Sequence, residues 1–142
     1  CGRIEMTRQS VTQHLAVLEA AKGTLDFSRP IALMILNTLG HVAEYARARE
    51  LVGRLMAGLP SGSYLVISDS TATSEGMIAA SEAYNKSGAV PYHVRPVAEI
   101  AGFFEGLDLV DPGVVQVTEW RPEPDAPAGP RVDAYGAVGR KP

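Results

Sequence analysis

Two short, nearly continuous apolar runs flank one amphipathic segment. The runs cover 30–39 and 64–69, and between them apolar positions recur at helical spacing over 44–58. Apolar runs of this length predict strands buried on both faces, and the 3.6-residue period predicts a helix. The helix stripe comprises Ala48, Leu51, Val52, Leu55, Met56 and Leu59. Because a strand, a crossover helix and a second strand follow one another, the two strands should be parallel.

The second half of the chain predicts shorter elements. A helix over 75–87 is followed by a break, and another short helix follows Pro96, with Val97, Ile100, Ala101 and Phe104 on one face. Extended segments are predicted at 107–110, 114–120 and 132–138. No crossover helix separates these last segments, so we expect them to be antiparallel.

The N-terminal segment predicts a helix of its own. Thr7 suits an N-cap, Val11, Leu15 and Leu18 follow at helical spacing, and Gly23 suits the helix end. We therefore divide the chain into a helical segment over 1–23 and an α/β domain over 24–142.

Composition narrows the class of protein. Of 142 residues, 46% are hydrophobic and 20% charged, which is enough apolar content for a core. A net charge of -3 argues against a general nucleic-acid or anionic-membrane binder. The single cysteine, Cys1, excludes a disulfide framework within the chain. No apolar run reaches the ~20 residues of a membrane span, so we expect a cytoplasmic location with no membrane partner. Because the chain begins with cysteine, we also expect further residues upstream.

Polar residues directly follow both predicted strands. Ser68, Asp69 and Ser70 end the second strand, where α/β proteins place ligands, although serine and aspartate there also serve as helix caps. His41 follows the first strand and suits either a ligand contact or a polar position at the sheet edge.

The loop 92–95 offers a second polar group. Tyr92, His93 and Arg95 form a mixed aromatic and basic cluster, for which a solvated loop is the plainer interpretation. The chain has three histidines, at positions 14, 41 and 93, and none of them has a second histidine or cysteine at metal-ligand spacing. We therefore expect no metal site. The chain contains no Gly-x-Gly, which excludes a dinucleotide fingerprint or a P-loop within it.

Several linked motifs resemble one family over 24–142. The motifs lie in order at 25–33, 39–42, 59–66, 87–93, 103–115, 120–122 and 139–142. They are similar to the actinobacterial S-adenosylmethionine-dependent methyltransferases once grouped as a domain of unknown function. The resemblance implies the C-terminal half of a class I, Rossmann-like methyltransferase sheet, with strands in the order 4-5-7-6. The glycine-rich cofactor loop and the ribose-binding acid of that family belong to an N-terminal half that the chain lacks.

The same resemblance also implies which residues would contact the cofactor and the substrate. The end of strand 4 would face the cofactor S-adenosylmethionine, through Asn37, Leu39, Gly40 and His41. The substrate would border Asp69, Ser70, Thr71, Tyr92, His93 and Arg95. His41 and His93 are the candidates for a general base, the methyl acceptor is unknown, and we expect weak or absent cofactor binding by this chain alone.

Two further expectations concern partners. With strand 1 absent, the apolar edge at 31–36 is unpaired and favours a homo-oligomer or a partner chain. Residues 6–21 resemble the recognition helix of an ArsR-type winged helix-turn-helix regulator, with Arg8, Ser10, Thr12 and Gln13 as its polar positions. The basic wing that should follow is missing, so we favour an amphipathic helix covering one face of the sheet and expect no DNA partner. A partial methyltransferase, a DNA-binding regulator with a methyltransferase-derived domain, and a non-catalytic fragment all stay open.

Overall fold

The computed structural model describes residues 12–125, 127 and 129–142, with side chains described from Ala16 onward. The helices are α1 (Thr12–Lys22), α2 (Tyr45–Ala57), α3 (Glu75–Lys86) and α4 (Val97–Gly102). The strands are β1 (Ala32–Leu36), β2 (Tyr64–Ser70), β3 (Asp108–Leu109), β4 (Val115–Gln116) and β5 (Ala134–Arg140). Single 3-10 turns lie at Leu39–His41 and Val117–Glu119.

The strands form one mixed sheet in the order β1-β2-β5-β3, with β4 also on β5. β1 and β2 are parallel, with Ala32 beside Tyr64, and β5 runs antiparallel to β2. This is the α/β order 4-5-7-6 that the resemblance implied, so the expected half of a Rossmann-like sheet is confirmed. The predicted parallel βαβ unit is present as β1, α2 and β2.

The last part of the sheet differs from the prediction. The stretch 114–120 is not one extended segment, because only Val115–Gln116 joins the sheet and Val117–Glu119 is a 3-10 turn. β3 and β4 occupy successive positions on the same edge of β5, with Asp108 beside Arg140 and Val115 beside Gly136. A turn at Gly113, whose φ is 84°, redirects the chain between them.

α2 and α4 cover one face of the sheet and form the core. Five of the six predicted α2 stripe positions are buried, and Leu51 is partly buried against the core. Of the residues predicted to share one face of the helix after Pro96, Ile100 in α4 and Phe104 just beyond it are buried, Val97 is partly buried and Ala101 is exposed. The buried residues are Leu18, Leu39, Ala48, Val52, Leu55, Met56, Leu59, Leu65, Ile67, Ile100, Phe103, Phe104 and Ala137.

The opposite face of the sheet is largely open at β1. Leu33 and Ile35 pack toward the core, whereas Met34 is 60% exposed and Leu36 48% exposed. The prediction that this strand is buried on both faces is therefore wrong. An apolar run indicates that both faces of a strand could be buried, but no described helix packs over the second face of β1. We call Ala32, Met34, Leu36 and Tyr64, which share this side of the pleat, the open face.

α1 packs on the end of α2 and not on the open face. Leu18 is 8% exposed, and its Cδ1 lies so close to Gly58 that a Cβ there would approach it to 2.5 Å. The predicted helix start at Thr7 and Val11 lies outside the described residues. Among the residues that are described, no helix is long and apolar enough to cross a membrane.

Candidate functional site

The carboxyl ends of β1 and β2 meet at one edge of the sheet, where parallel strands commonly bind ligands. β1 ends at Leu36, and the next residue, Asn37, has a φ of 49° and donates its backbone N–H to the Ser68 carbonyl at 2.8 Å. The 3-10 turn Leu39–His41 follows directly and lies beside the end of β2. Predicted residues from both strands are thus brought together here.

Asp69 is the buried acid of this edge. Its side chain is 2% exposed and accepts the Gly40 N–H at 3.1 Å, the Ser70 N–H at 3.2 Å and the Tyr92 hydroxyl. Burial raises the pKa of the Asp69 carboxyl, and the Ser70 N–H and the charge of Arg95 oppose that rise. Asp69 therefore joins the ends of both strands and the loop that carries Tyr92.

Tyr92 occupies the space above Gly40. A Cβ at position 40 would overlap the Tyr92 ring, so this close approach requires glycine. The Tyr92 and His41 rings meet edge to face, with centroids 5.1 Å apart and planes at 85°. Gly40, Tyr92 and His41 consequently form one packed unit at the edge of the site.

The two predicted histidines lie at the surface of this unit. His41 is exposed, and its Nδ1 lies 3.0 Å from the Pro91 carbonyl oxygen. A carbonyl only accepts, so Nδ1 carries the proton in this bond and a neutral ring keeps a lone pair on Nε2. The His93 side chain is also exposed, and its backbone N–H donates to the Gly40 carbonyl at 2.8 Å.

Three predicted side chains are buried beneath the site. Arg95 is 4% exposed and donates to the backbone carbonyls of Leu39, at 2.9 Å, and Val42. Leu39 packs in the core, and the Thr71 hydroxyl bonds to that of Thr73 at 3.1 Å. The polar groups of the Arg95 and Thr71 side chains thus bond inside the protein and the Leu39 side chain lies in the core, so contact of these residues with a ligand stays a prediction.

Sequence reasoning missed two polar residues that hold α3 at the site. Asn85 bonds to both backbone groups of Tyr92. Asp133 accepts the hydroxyls of Thr73, at 2.6 Å, and Ser74, at 2.7 Å, and these bonds lower the pKa of its carboxyl. Both contacts join residues distant along the chain or bond to backbone, so the pattern of apolar positions carries no signal for them.

Comparison with known proteins settles the family. A family model described as S-adenosyl methyltransferase matches residues 2–142. The chain belongs to this family. The match also runs through the N-terminal segment that resembles a recognition helix, and it gives the regulator interpretation no support. No curated protein matches the sequence.

Solved structures agree with the family. A DUF574 family protein from Streptomyces avermitilis is 36% identical, with a TM-score of 0.83, and the match covers 94% of this chain and 53% of that one. A Thermobifida fusca protein, provisionally assigned as a methyltransferase, is 26% identical with a TM-score of 0.79 over 94% of this chain and 52% of its own. An O-methyltransferase family protein from Burkholderia thailandensis, 16% identical with a TM-score of 0.55, shares the fold over 81% of this chain and 32% of its own. This methyltransferase-family chain spans about half the length of the first two.

The contact between Gly40 and Tyr92 gives a stability prediction. Replacing Gly40 with alanine should lower the free energy of unfolding by about 1–3 kcal/mol, because the new Cβ displaces the Tyr92 ring. Urea unfolding measures the change. Gly53→Ala is the control, since nothing lies within 4 Å of a Cβ there and the helix should gain slightly. Equal stability of Gly40→Ala and wild type would contradict the packing.

The pKa of Asp69 gives a pH prediction. The pKa of the Asp69 carboxyl is raised from 3.8 on folding. The contribution of this carboxyl to the free energy of unfolding is therefore fully present below pH 3.8 and is lost as the pH rises through the folded-state pKa. Asp69→Asn does not titrate, so its stability relative to wild type should increase as pH rises above 3.8. Urea unfolding across about pH 3–8 tests this.

Asp133→Asn is the matched control with the opposite sign. The pKa of Asp133 is lowered from 3.8, so the contribution of this acid is present above pH 3.8 and is lost as pH falls below it. The stability of Asp133→Asn relative to wild type should therefore change only below pH 3.8. A difference between Asp69→Asn and wild type that stays constant from pH 3 to pH 8 would refute the burial of the Asp69 charge.

Proposed function

We propose that this chain forms the acceptor-side half of an S-adenosylmethionine-dependent methyltransferase and lacks the main cofactor loop. The observation that carries the proposal is the polar edge formed by Gly40, His41, Asp69 and Tyr92 at the ends of two parallel strands, in a chain of this family. Parallel sheets of this class bind small ligands at that edge.

The residues present fit only part of the cofactor. Asn37 and His41 are exposed polar residues at the end of β1 and would contact its methionine part, with the backbone of Gly40 between them. The chain has no Gly-x-Gly loop to cradle the remainder. We therefore expect the chain on its own to bind the cofactor weakly and to transfer no methyl group.

S-adenosylmethionine supplies an electrophilic methyl group when bound. Catalysis in such a site depends mainly on holding an acceptor in line with that group. The Nε2 lone pair of His41 takes the proton that an acceptor hydroxyl or amine loses as it attacks. Ser70, Tyr92 and His93 would contact the acceptor, and Asp69 holds Tyr92 in place by accepting the hydrogen bond from its hydroxyl.

A chimera tests this proposal. The chain is joined to the half of the Streptomyces avermitilis protein that it does not cover, with only this chain isotopically labelled. Adding S-adenosylmethionine should shift the amide NMR signals of Asn37, Gly40 and His41 more than those of Ser61 and Gly62, which lie at the amino-terminal end of β2. If the chimera folds and saturating cofactor leaves the edge signals in place, the proposed site is wrong.

A further inference from the structure

Asn85 is linked to His41 through a single peptide unit. Asn85 Oδ1 accepts the Tyr92 N–H at 2.7 Å, and the carbonyl of the same peptide, that of Pro91, lies 3.0 Å from His41 Nδ1. A peptide unit is planar, so fixing the direction of its N–H also fixes the direction of its carbonyl. Hydrogen bonds at the two ends of one peptide also polarise each other.

Asn85 bonds to the site although its helix, α3, contributes no side chain to the core. All residues of α3 are described and none of its side chains is buried. Ser81 and Asn85 nevertheless both donate to the Tyr92 carbonyl, each at 2.9 Å. The helix is thus attached to the site through polar bonds to the backbone of Tyr92, whose ring packs on His41.

We propose that Asn85 is a positioning residue for His41. By holding the peptide between Pro91 and Tyr92, it keeps His41 in the Nδ1–H tautomer and leaves Nε2 as the proton acceptor. The tautomer itself is independent of methyl transfer, and only the role of Nε2 rests on the proposed function. An acceptor that carries a hydroxyl or amine proton matches that lone pair.

The test is the tautomer of His41 in the full 142-residue chain, labelled with ¹⁵N at histidine. Long-range ¹H–¹⁵N spectra at about pH 9, where imidazoles are neutral as a class, distinguish the two ring nitrogens. The His41 signals are assigned by their loss in His41→Gln. We expect Nδ1–H in the wild type and a roughly two- to tenfold change of the tautomer ratio toward Nε2–H in Asn85→Ala.

Ser81→Ala is the matched control, because Ser81 bonds to the Tyr92 carbonyl, which belongs to the next peptide unit. It should leave the His41 tautomer as in the wild type. Asn85→Leu keeps a similar side-chain size, has no oxygen for the Tyr92 N–H, and should change the tautomer ratio as Asn85→Ala does, so it serves as a second variant if Asn85→Ala fails to fold. The proposal is overturned by an Nε2–H wild type, by an unchanged ratio in a folded Asn85→Ala or Asn85→Leu, or by an equal change in Ser81→Ala. Failure of the chimera to bind cofactor would leave this result standing.

Discussion

In sedimentation velocity at tens of micromolar, the 142-residue chain should migrate as dimers or larger species. The outer edge of β1 has no neighbouring strand among the described residues, and the open face beside it exposes Met34 and Leu36. An unpaired apolar edge is a template for pairing with another chain. α1 packs on α2 and leaves Met34 60% exposed, so it does not protect the edge.

Charged substitutions separate this edge from other exposed apolar positions. Met34→Lys combined with Leu36→Glu should shift the chain to monomer, since charges on an edge strand oppose pairing. Ile78→Lys is the control, because Ile78 is 41% exposed but lies on α3. A monodisperse wild-type monomer at the same concentration would rule out the edge as an association site.

The chain alone should bind S-adenosylmethionine weakly or not at all. Micromolar affinity requires about -8 kcal/mol. The edge from Asn37 to His41 offers one or two of the needed contacts, and each hydrogen bond contributes a net ~0.5–1.5 kcal/mol. Ordering the ligand costs several kcal/mol. The contacts that this chain offers therefore fall well short of micromolar binding, and we expect equilibrium dialysis at micromolar cofactor to retain none.

The fold was predictable where local periodicity decides it. The predicted segments 30–39, 44–58 and 64–69 correspond to β1, α2 and β2, with ends that differ by at most three residues. The exposure of Met34 was not predictable, because an apolar sequence does not reveal which element covers it. The antiparallel pairing of the last segments was expected, but the shortness of β4 was not, because the point at which a strand leaves its sheet neighbour is a nonlocal property.

The sequence predicted that candidate residues would meet at one edge of the sheet, but it did not predict the contacts among them. Asp69 and His41 were chosen as candidates because they lie at or just beyond the carboxyl ends of the two strands, and the structure brings them to the same edge. The burial of Arg95 was not foreseen, since its partners are backbone carbonyls that any sequence supplies. Asn85 was missed for the same reason, because its bonds go to the backbone of Tyr92.

Titration calorimetry with S-adenosylmethionine tests the central claim most directly. Two samples are compared, the 142-residue chain and the chimera that adds the uncovered half of the Streptomyces avermitilis protein. The account predicts no saturable heat at micromolar concentrations for the chain alone and micromolar binding by the chimera. A micromolar dissociation constant for the chain alone, or no binding by a folded chimera, would contradict the claim that this chain is the acceptor-side half of a methyltransferase.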